Sequence, residues 1–225
     1  MLAQIRPALV ALFLLTLLTG VAYPLAVTGV ATVALRDKAE GSLIRDNEGN
    51  VVGSRLIGQN FSDPKYFWGR LSATSLDVGL AGREGATQPV GEQGQVVEPA
   101  AAAAPPSLPY NAENSVGTNF GPTSPELTKA AQARIDALKE ADPDNDMPIP
   151  VDLVTASASG LDPDISPAAA LYQVHRVAKA RGFATDDDVH ALVLAHVKNR
   201  DLGVLGEARV NVLELNLALE ASPKH

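Results

Sequence analysis

The chain has 225 residues, no cysteine and a formal net charge of −8. The missing cysteines exclude disulfides, thiol catalysis and cysteine-ligated zinc sites. An acidic chain also has no electrostatic reason to bind nucleic acid or an anionic lipid surface. No internal repeat is visible, so these totals favour a single domain of ordinary size.

Residues 7–35 contain no charged side chain, with Arg6 as the last charge before them and Arg36 as the first after them. Because about 20 apolar residues span a bilayer, this stretch predicts a transmembrane helix at 7–35 after a short arm at 1–6. A cleaved signal peptide is the alternative, although its apolar core is normally only ~7–15 residues long. The arm carries Arg6 and no acid, which predicts a cytoplasmic arm and an extracytoplasmic domain.

Several residues inside the predicted span favour packing against another helix. Thr16, Gly20 and Tyr23 are small, hydroxyl-bearing or polar-tipped, and such side chains allow close approach between membrane helices. Pro24 removes a backbone donor and is expected to kink the helix. A single lipid-facing anchor would tolerate the same residues, so both readings stay open.

The predicted domain occupies residues 36–225 and opens with a β-hairpin. Turn residues at 47–50 separate two short apolar runs, at 42–45 and 51–57. Further along, residues 75–108 are rich in alanine, glycine and proline and lack aromatic residues. That composition predicts a flexible insertion that cannot bury enough apolar surface to order itself.

The densest group of aromatic residues outside the span comprises Phe61, Tyr66, Phe67 and Trp68. Large aromatic side chains bury much area, so this cluster is either a corner of the core or a contact surface. A polar, glycine-rich loop follows at 109–122 and places amide side chains where a partner can reach them.

Capping residues define three helices in the second half of the chain. Ser124 precedes a helix ending at Asp142–Pro143, Ser166 precedes one ending at Gly182, and Thr185 precedes a third. Strands are predicted at 151–155 and 209–213. Strands and helices without a repeating βα rhythm indicate an α+β fold.

The last two of these helices resemble a helix-turn-helix, but the acidic charge favours a plain αα-hairpin. His190 and His196 fall on different helix faces, so no metal pair is predicted. Asp142 begins a calcium-loop-like run, but Met147 and Leu153 occupy the positions where such a loop needs glycine and glutamate. No metal site is therefore predicted.

Nucleotide-binding and hydrolase motifs are absent from the sequence. There is no glycine-rich phosphate loop ending in Lys-Ser/Thr, no G-x-S-x-G elbow and no H-E-x-x-H helix. The residues alone favour a membrane-anchored accessory or binding domain over an enzyme.

Many short segments, all in order, resemble one family, the C subunit of the Kdp-type bacterial potassium-transporting ATPase. The segments are Arg6–Leu9, Thr19–Leu25, Gly41–Ile44, Gly58–Phe61, Gly69–Arg70, Ser72–Thr74, Pro109–Asn111, Val154–Asp162, Ile165–Pro167, Arg176–Arg181 and Val210–Leu219. The chain departs from the usual pattern at Leu71, Val116 and Phe120, and in the long 75–108 stretch. These departures put the local loop geometry in doubt rather than the resemblance.

The resemblance implies a single-pass subunit of the bacterial inner membrane with an extracytoplasmic domain. Its implied partners are a potassium-channel-like subunit, a P-type ATPase subunit and a small fourth peptide. The implied role is assembly, together with a catalytic-chaperone effect that raises the ATP affinity of the catalytic subunit. ATP would then be bound in a ternary complex, and this chain would have no catalytic residue or permanent cofactor.

Candidate site residues follow from the loops and from the span. The predicted partner-contact residues are Thr16, Gly20, Tyr23, Pro24, Gln59, Asn60, Arg70, Asn111, Asn119, Ser157 and Ser159. Gln173, on the flank of the second helix, is a weaker candidate for direct nucleotide contact. Each of these residues can equally be structural. A membrane-tethered solute-binding domain is the alternative function, and an anchored enzyme is a third.

Overall fold

The computed structural model describes residues 4–46, 48–74 and 109–222. The chain divides into two compact units, of which the first ends at Ser54 and the second begins at Arg55. The predicted insertion at 75–108 lies outside the described residues.

The first unit begins with a long apolar helix. Helix α1 spans Ile5–Leu17, α2 spans Tyr23–Ala34, and the π-helical turn Leu18–Ala22 joins them. The combined helix Ile5–Ala34 has 30 residues and is long and apolar enough to cross a membrane. At about 1.5 Å per residue it exceeds the ~30 Å hydrocarbon core of a bilayer. A short helix, α3, follows at Arg36–Ala39.

The π-helical turn lies directly before Pro24. The nitrogen of Pro24 carries no hydrogen, so it cannot donate to the carbonyl one turn earlier. The Tyr23 N–H bonds to the Leu18 carbonyl oxygen, one residue further back than in an α-helix. The helix thus accommodates the expected disturbance at Pro24 through a local π turn.

The first unit ends in the predicted β-hairpin. Strand β1 spans Leu43–Arg45 and pairs antiparallel with β2, Val51–Ser54. At the turn, the Asp46 carboxylate accepts the backbone N–H groups of Glu48 and Asn50, both within 2.9 Å. This side-chain bonding closes the turn locally, and the hairpin prediction is confirmed.

The second unit contains five α-helices and two short strands among its described residues. The helices are α4 Pro125–Ala141, α5 Pro167–Tyr172, α6 Val174–Arg181, α7 Asp187–Ala195 and α8 Val212–Ala221, and the strands are β3 Asp164–Ile165 and β4 Val210–Asn211. The two strands pair antiparallel, with Ile165 opposite Val210. The mixture of helices and strands confirms the α+β prediction.

The core of the second unit lies where α7 packs against α5, α6 and α8. Val177, Val193 and Leu215 are fully buried there. Phe67 and Trp68 join the same cluster, at 0% and 6% exposure. The aromatic segment is therefore part of the core, as the first of the two interpretations held.

Of the two strands predicted in this unit, the first was wrong and the second is shorter than predicted. The segment predicted as a strand at 151–155 contains a 3₁₀ turn, Val151–Leu153, with Leu153 buried. In the strand predicted at 209–213, only Val210–Asn211 is extended. The Asn211 side chain accepts the Glu214 N–H at 3.0 Å, which caps α8 and starts the helix early.

The predicted helix after Ser166 is interrupted. The Ser166 hydroxyl accepts the Ala169 N–H at 3.0 Å, which confirms the cap. The helix then breaks into α5 and α6 at Gln173, and α6 ends at Gly182 in the left-handed conformation. The third helix begins at Asp187, so Asp186 rather than Thr185 occupies the N-cap position, and its side chain makes no capping hydrogen bond.

Candidate partner-contact surface

Three polar loops of the second unit are joined by backbone hydrogen bonds. We call residues 58–74, 109–121 and 155–162 the three-loop cluster. The Gly58 N–H donates to the Leu161 carbonyl at 2.9 Å, and the Val116 N–H donates to the Ser159 carbonyl at 3.0 Å. Leu71 forms a parallel bridge with Ala156. Loops that are far apart in sequence therefore form one structural unit.

Two buried hydroxyls hold the centre of the three-loop cluster. The Ser72 hydroxyl donates to the Gly160 carbonyl at 2.6 Å and accepts the Tyr110 N–H at 2.9 Å. The Thr74 hydroxyl accepts the Asn111 N–H at 3.0 Å. Since buried polar groups stabilise a fold only when they are paired, these bonds fix the relative positions of the loops.

The three-loop cluster contains seven of the predicted contact residues, and they differ in exposure. Asn60, Asn119 and Ser159 are exposed, Gln59, Arg70 and Asn111 are half-buried, and Ser157 is buried. The structure corrects the expected surface position of Ser157, because its hydroxyl accepts the Gly160 N–H at 2.9 Å inside a turn. The exposed amides of Asn60 and Asn119 remain available to a partner.

Arg70 is the charged member of this surface. Its guanidinium donates to the Asp162 carboxylate at 3.0 Å and to the Ala156 carbonyl at 3.2 Å. The side chain is 24% exposed, so it serves mainly to tie two loops together. Such a partly buried pair orients the loop that carries Asn60.

Gln173 is placed differently from the sequence prediction. It lies at the break between α5 and α6, is 1% exposed, and bonds to the backbone of Trp68. Its carbonyl oxygen accepts the Trp68 N–H at 2.8 Å, and its amide donates to the Trp68 carbonyl at 3.1 Å. This corrects the expected position on an accessible helix flank, because both ends of the amide are paired within the core.

Asn216 pairs in the same way with the backbone of Phe67, the residue before Trp68. Its side chain accepts the Phe67 N–H at 2.9 Å and donates to the Phe67 carbonyl at 3.0 Å. Sequence reasoning missed this residue, although an asparagine within an apolar helical stretch was the available signal. The two amides, one at the break between α5 and α6 and the other on α8, together hold the backbone of Phe67 and Trp68 in place.

The Trp68 ring lies between two guanidinium groups. Arg176 is centred 4.3 Å and Arg134 5.0 Å from the ring centroid, both within cation–π range. Burial lowers the pKa of Arg176 to about 10. Arg176 is 3% exposed and donates to Gln173 and to the Pro64 carbonyl.

The remaining predicted contact residues lie on the apolar helix of the first unit. Thr16, Gly20, Tyr23 and Pro24 are all exposed along that helix. The Thr19 hydroxyl donates to the Leu15 carbonyl at 2.7 Å, which keeps one polar group satisfied within the helix. A side-chain β-carbon at Gly20 would meet only the Thr16 methyl, at 3.9 Å. This helix face therefore has room for a neighbouring helix.

Among the described residues, no group of three or more histidine or carboxylate side chains is placed to hold a metal ion. His196 bonds to the Leu192 carbonyl at 2.8 Å, which gives this histidine a partner within its own helix turn.

The family model and the individual relatives that match this chain all carry the same family name. The family model for the K⁺-transporting ATPase c chain, KdpC, matches residues 5–221. A KdpC subunit from Herpetosiphon aurantiacus is 54% identical over 96% of this chain and 94% of its own length. KdpC subunits from Dechloromonas aromatica and Sorangium cellulosum are 52% and 50% identical, over 98% and 99% of this chain and 98% and 100% of their own lengths. The chain therefore belongs to the KdpC family, the C subunit of potassium-transporting ATPases.

Proposed function

We propose that this chain is the membrane-anchored accessory subunit that assembles and stabilises a potassium-importing pump. Its partners would be a potassium-channel-like subunit, a P-type ATPase subunit and a small fourth peptide. The observation that carries the proposal is the family match from residue 5 to residue 221, which includes both the apolar helix and the second unit as far as residue 221. The exposed helix face and the three-loop cluster supply two separate surfaces for partners.

The accessory role can be tested directly in cells that lack this chain. We expect such cells to fail to take up potassium from potassium-poor medium, and we expect a plasmid copy of the chain to restore uptake. The measurements are growth in potassium-poor medium and the uptake of rubidium as a tracer for potassium. Uptake that is unchanged without the chain would overturn the proposed role.

The proposed orientation places the arm in the cytoplasm and the second unit outside. Arg6 lies before the helix, whereas beyond it Arg36 pairs with Glu40 at 2.8 Å, which leaves less free positive charge on that side. With its net negative charge, the second unit would raise the local concentration of cations near the entrance of the channel subunit.

This orientation can be tested with introduced cysteines, because the natural chain has none. Lys139→Cys, at an exposed position of α4, should react with a membrane-impermeant maleimide on intact spheroplasts. Gln4→Cys, the matched control before the helix, should react only after the membrane is opened. The reverse pattern of labelling would contradict the orientation.

We further propose that any effect on ATP affinity passes through the membrane helices, because the second unit would lie across the bilayer from a cytoplasmic ATP site. The paired and buried amide of Gln173 supports this route, since it has a structural role in the core. Direct contact of Gln173 with nucleotide in a ternary complex is the competing arrangement.

Gln173→Ala separates these two arrangements. It should lower the free energy of unfolding by about 2–3 kcal/mol, because the Trp68 backbone loses its buried partners. The KM for ATP, measured per assembled complex, should stay unchanged. A raised KM in a complex that assembles and melts normally would instead support a direct nucleotide contact.

A further inference from the structure

A small pocket in the second unit contains two arginines. It has a volume of about 100 Å³ and is lined by Asn60, Phe61, Arg70, Tyr110 and Arg134 together with short neighbouring loop residues. None of the described residues that line it is acidic. This is unexpected in a chain with a net charge of −8. We call it the Arg134 pocket.

Arg134 is the cation with unused binding capacity. Its Nε donates to the Leu153 carbonyl at 3.2 Å and its Nη2 to the Gly69 carbonyl at 3.0 Å. Its Nη1 makes no hydrogen bond to another described residue, and no described carboxylate lies within 4.0 Å of the guanidinium. Arg70 already pairs with the Asp162 carboxylate, although its buried Nε has no hydrogen-bond partner. Among the described residues, Arg134 is therefore the arginine of the pocket whose charge has no counter-ion.

The surroundings make that charge costly to hold alone. Burial lowers the pKa of Arg134, because the folded chain solvates this cation less well than water does. The face of Trp68, 5.0 Å away, offsets only part of this loss. An anion placed against the free edge of the guanidinium would supply the missing partner, most favourably through paired N–H···O bonds.

The part of the pocket wall formed by Tyr110 and Gly69 is held in a fixed shape. Tyr110 has a φ of +60°, a strained value for a residue with a side chain, and its hydroxyl donates to the Arg70 carbonyl at 2.6 Å. A β-carbon at Gly69 would lie 2.5 Å from the same hydroxyl. Strain of this kind persists only where neighbouring contacts fix it, so the pocket is formed before any ligand arrives.

The size and charge of the pocket select the ligand class. A volume of about 100 Å³ is several times the ~10–15 Å³ of probe-occupied volume that one water needs, so the pocket has room for a small group such as a carboxylate and its adjoining carbon. One free guanidinium matches a single negative charge, and Phe61 offers an apolar surface to the carbon. We propose that the Arg134 pocket is a carboxylate-binding site, filled by a small free carboxylate or by an acidic side chain of another pump subunit.

The first arm of the test uses the full-length chain alone in detergent, with acetate as the probe and chloride as the control at equal ionic strength. Saturating acetate should raise Tm by about 2–4 °C. Arg134→Gln should lose this rise, whereas Arg200→Gln, an exposed arginine paired with Glu207, should keep it. Inorganic phosphate should not reproduce the rise, and equal or larger stabilisation by phosphate would overturn the carboxylate assignment.

A second variant separates loss of the binding site from misfolding of Arg134→Gln. Asn60 is exposed at the pocket, so Asn60→Asp should fold normally. Its new carboxylate would compete for Arg134 and should likewise abolish the acetate effect. An acetate effect that is retained in both variants would overturn the site.

The second arm rests on the proposed function and identifies the source of the carboxylate. Recovery of the other pump subunits is measured with wild-type, Arg134→Gln, Asn60→Asp and Arg200→Gln chains. A several-fold loss confined to the two pocket variants assigns the site to a subunit side chain. Unchanged recovery with an acetate effect in the first arm assigns it to a free carboxylate. The proposal fails if acetate has no effect and recovery is unchanged, an outcome that leaves the accessory role intact.

Discussion

Leucine substitutions at Thr16, Gly20 and Gly29 are expected to separate this chain from its pump complex. These small residues leave room along an exposed, apolar helix, and nothing in the described chain lies within 4 Å of a β-carbon at Gly29. Bulk added there cannot disturb the chain internally, so it acts only on a neighbouring helix. Polar contacts between membrane helices contribute about 0.6–2 kcal/mol each. The triple variant should therefore recover at least about tenfold less of the other subunits.

Controls place leucine one position further along the helix, where it replaces valine and adds a single methylene. Val21→Leu and Val30→Leu are also exposed positions and should leave recovery unchanged. Subunit recovery from detergent extracts and potassium uptake are measured side by side. Full recovery with the triple variant would show that the helix is a simple anchor and that assembly depends on the second unit.

Gly58→Ala is expected to destabilise the second unit by about 3 kcal/mol, near the upper end of overpacking effects. A β-carbon at Gly58 would overlap the Tyr110 ring and would lie 2.8 Å from the Asp162 carbonyl oxygen. Neither neighbour can move easily, because the Tyr110 hydroxyl is bonded to Arg70 and the Asp162 segment is bonded to Gly58 itself through Leu161. Tyr110 would have to leave its position, which would open the three-loop cluster.

Gly121→Ala is the control for this change. A β-carbon at Gly121 meets nothing within 4 Å, and the position belongs to the same cluster of loops. Its stability should stay within about 0.5 kcal/mol of wild type. Thermal or urea unfolding of the full chain measures both variants. Equal stability of the two would mean that Tyr110 does not lie against Gly58.

Much of the fold could be predicted from interactions between residues that are close together in sequence. The hairpin followed from turn residues between two short strands, and the Asp46 carboxylate closes that turn through nearby N–H groups. Helix α4 begins at Pro125 and ends before Asp142, as predicted, although the Ser124 side chain makes no capping hydrogen bond. Such elements are fixed by residues within one or two turns of each other, so one stretch of sequence contains their causes.

The parts that were missed depend on contacts between distant residues. Gln173 interrupts a helix because its amide pairs with Trp68, 105 residues away in sequence. Arg134 lies on the inward face of α4, where its guanidinium meets Trp68 and the Gly69 carbonyl. A charge on an apolar face was visible in the sequence, but the partner that makes its position stable was not.

The predicted contact residues show the same division. The sequence placed Asn60 and Arg70 in one segment and Asn119 in another, without indicating that these two segments meet. The hydroxyls of Ser72 and Thr74 join them, and each acts on backbone groups more than 30 residues away. Composition and spacing could predict polar loops, but only the folded chain shows that they form one surface.

The most direct test of the account is a purification of the complete chain, tagged at His225, from gently solubilised membranes of potassium-starved cells. We predict that a channel-like polytopic subunit and a P-type ATPase subunit purify with it, and that the eluate hydrolyses ATP in a potassium-dependent manner. Recovery of the chain alone, without ATPase activity, would contradict the account and would favour a tethered solute-binding domain.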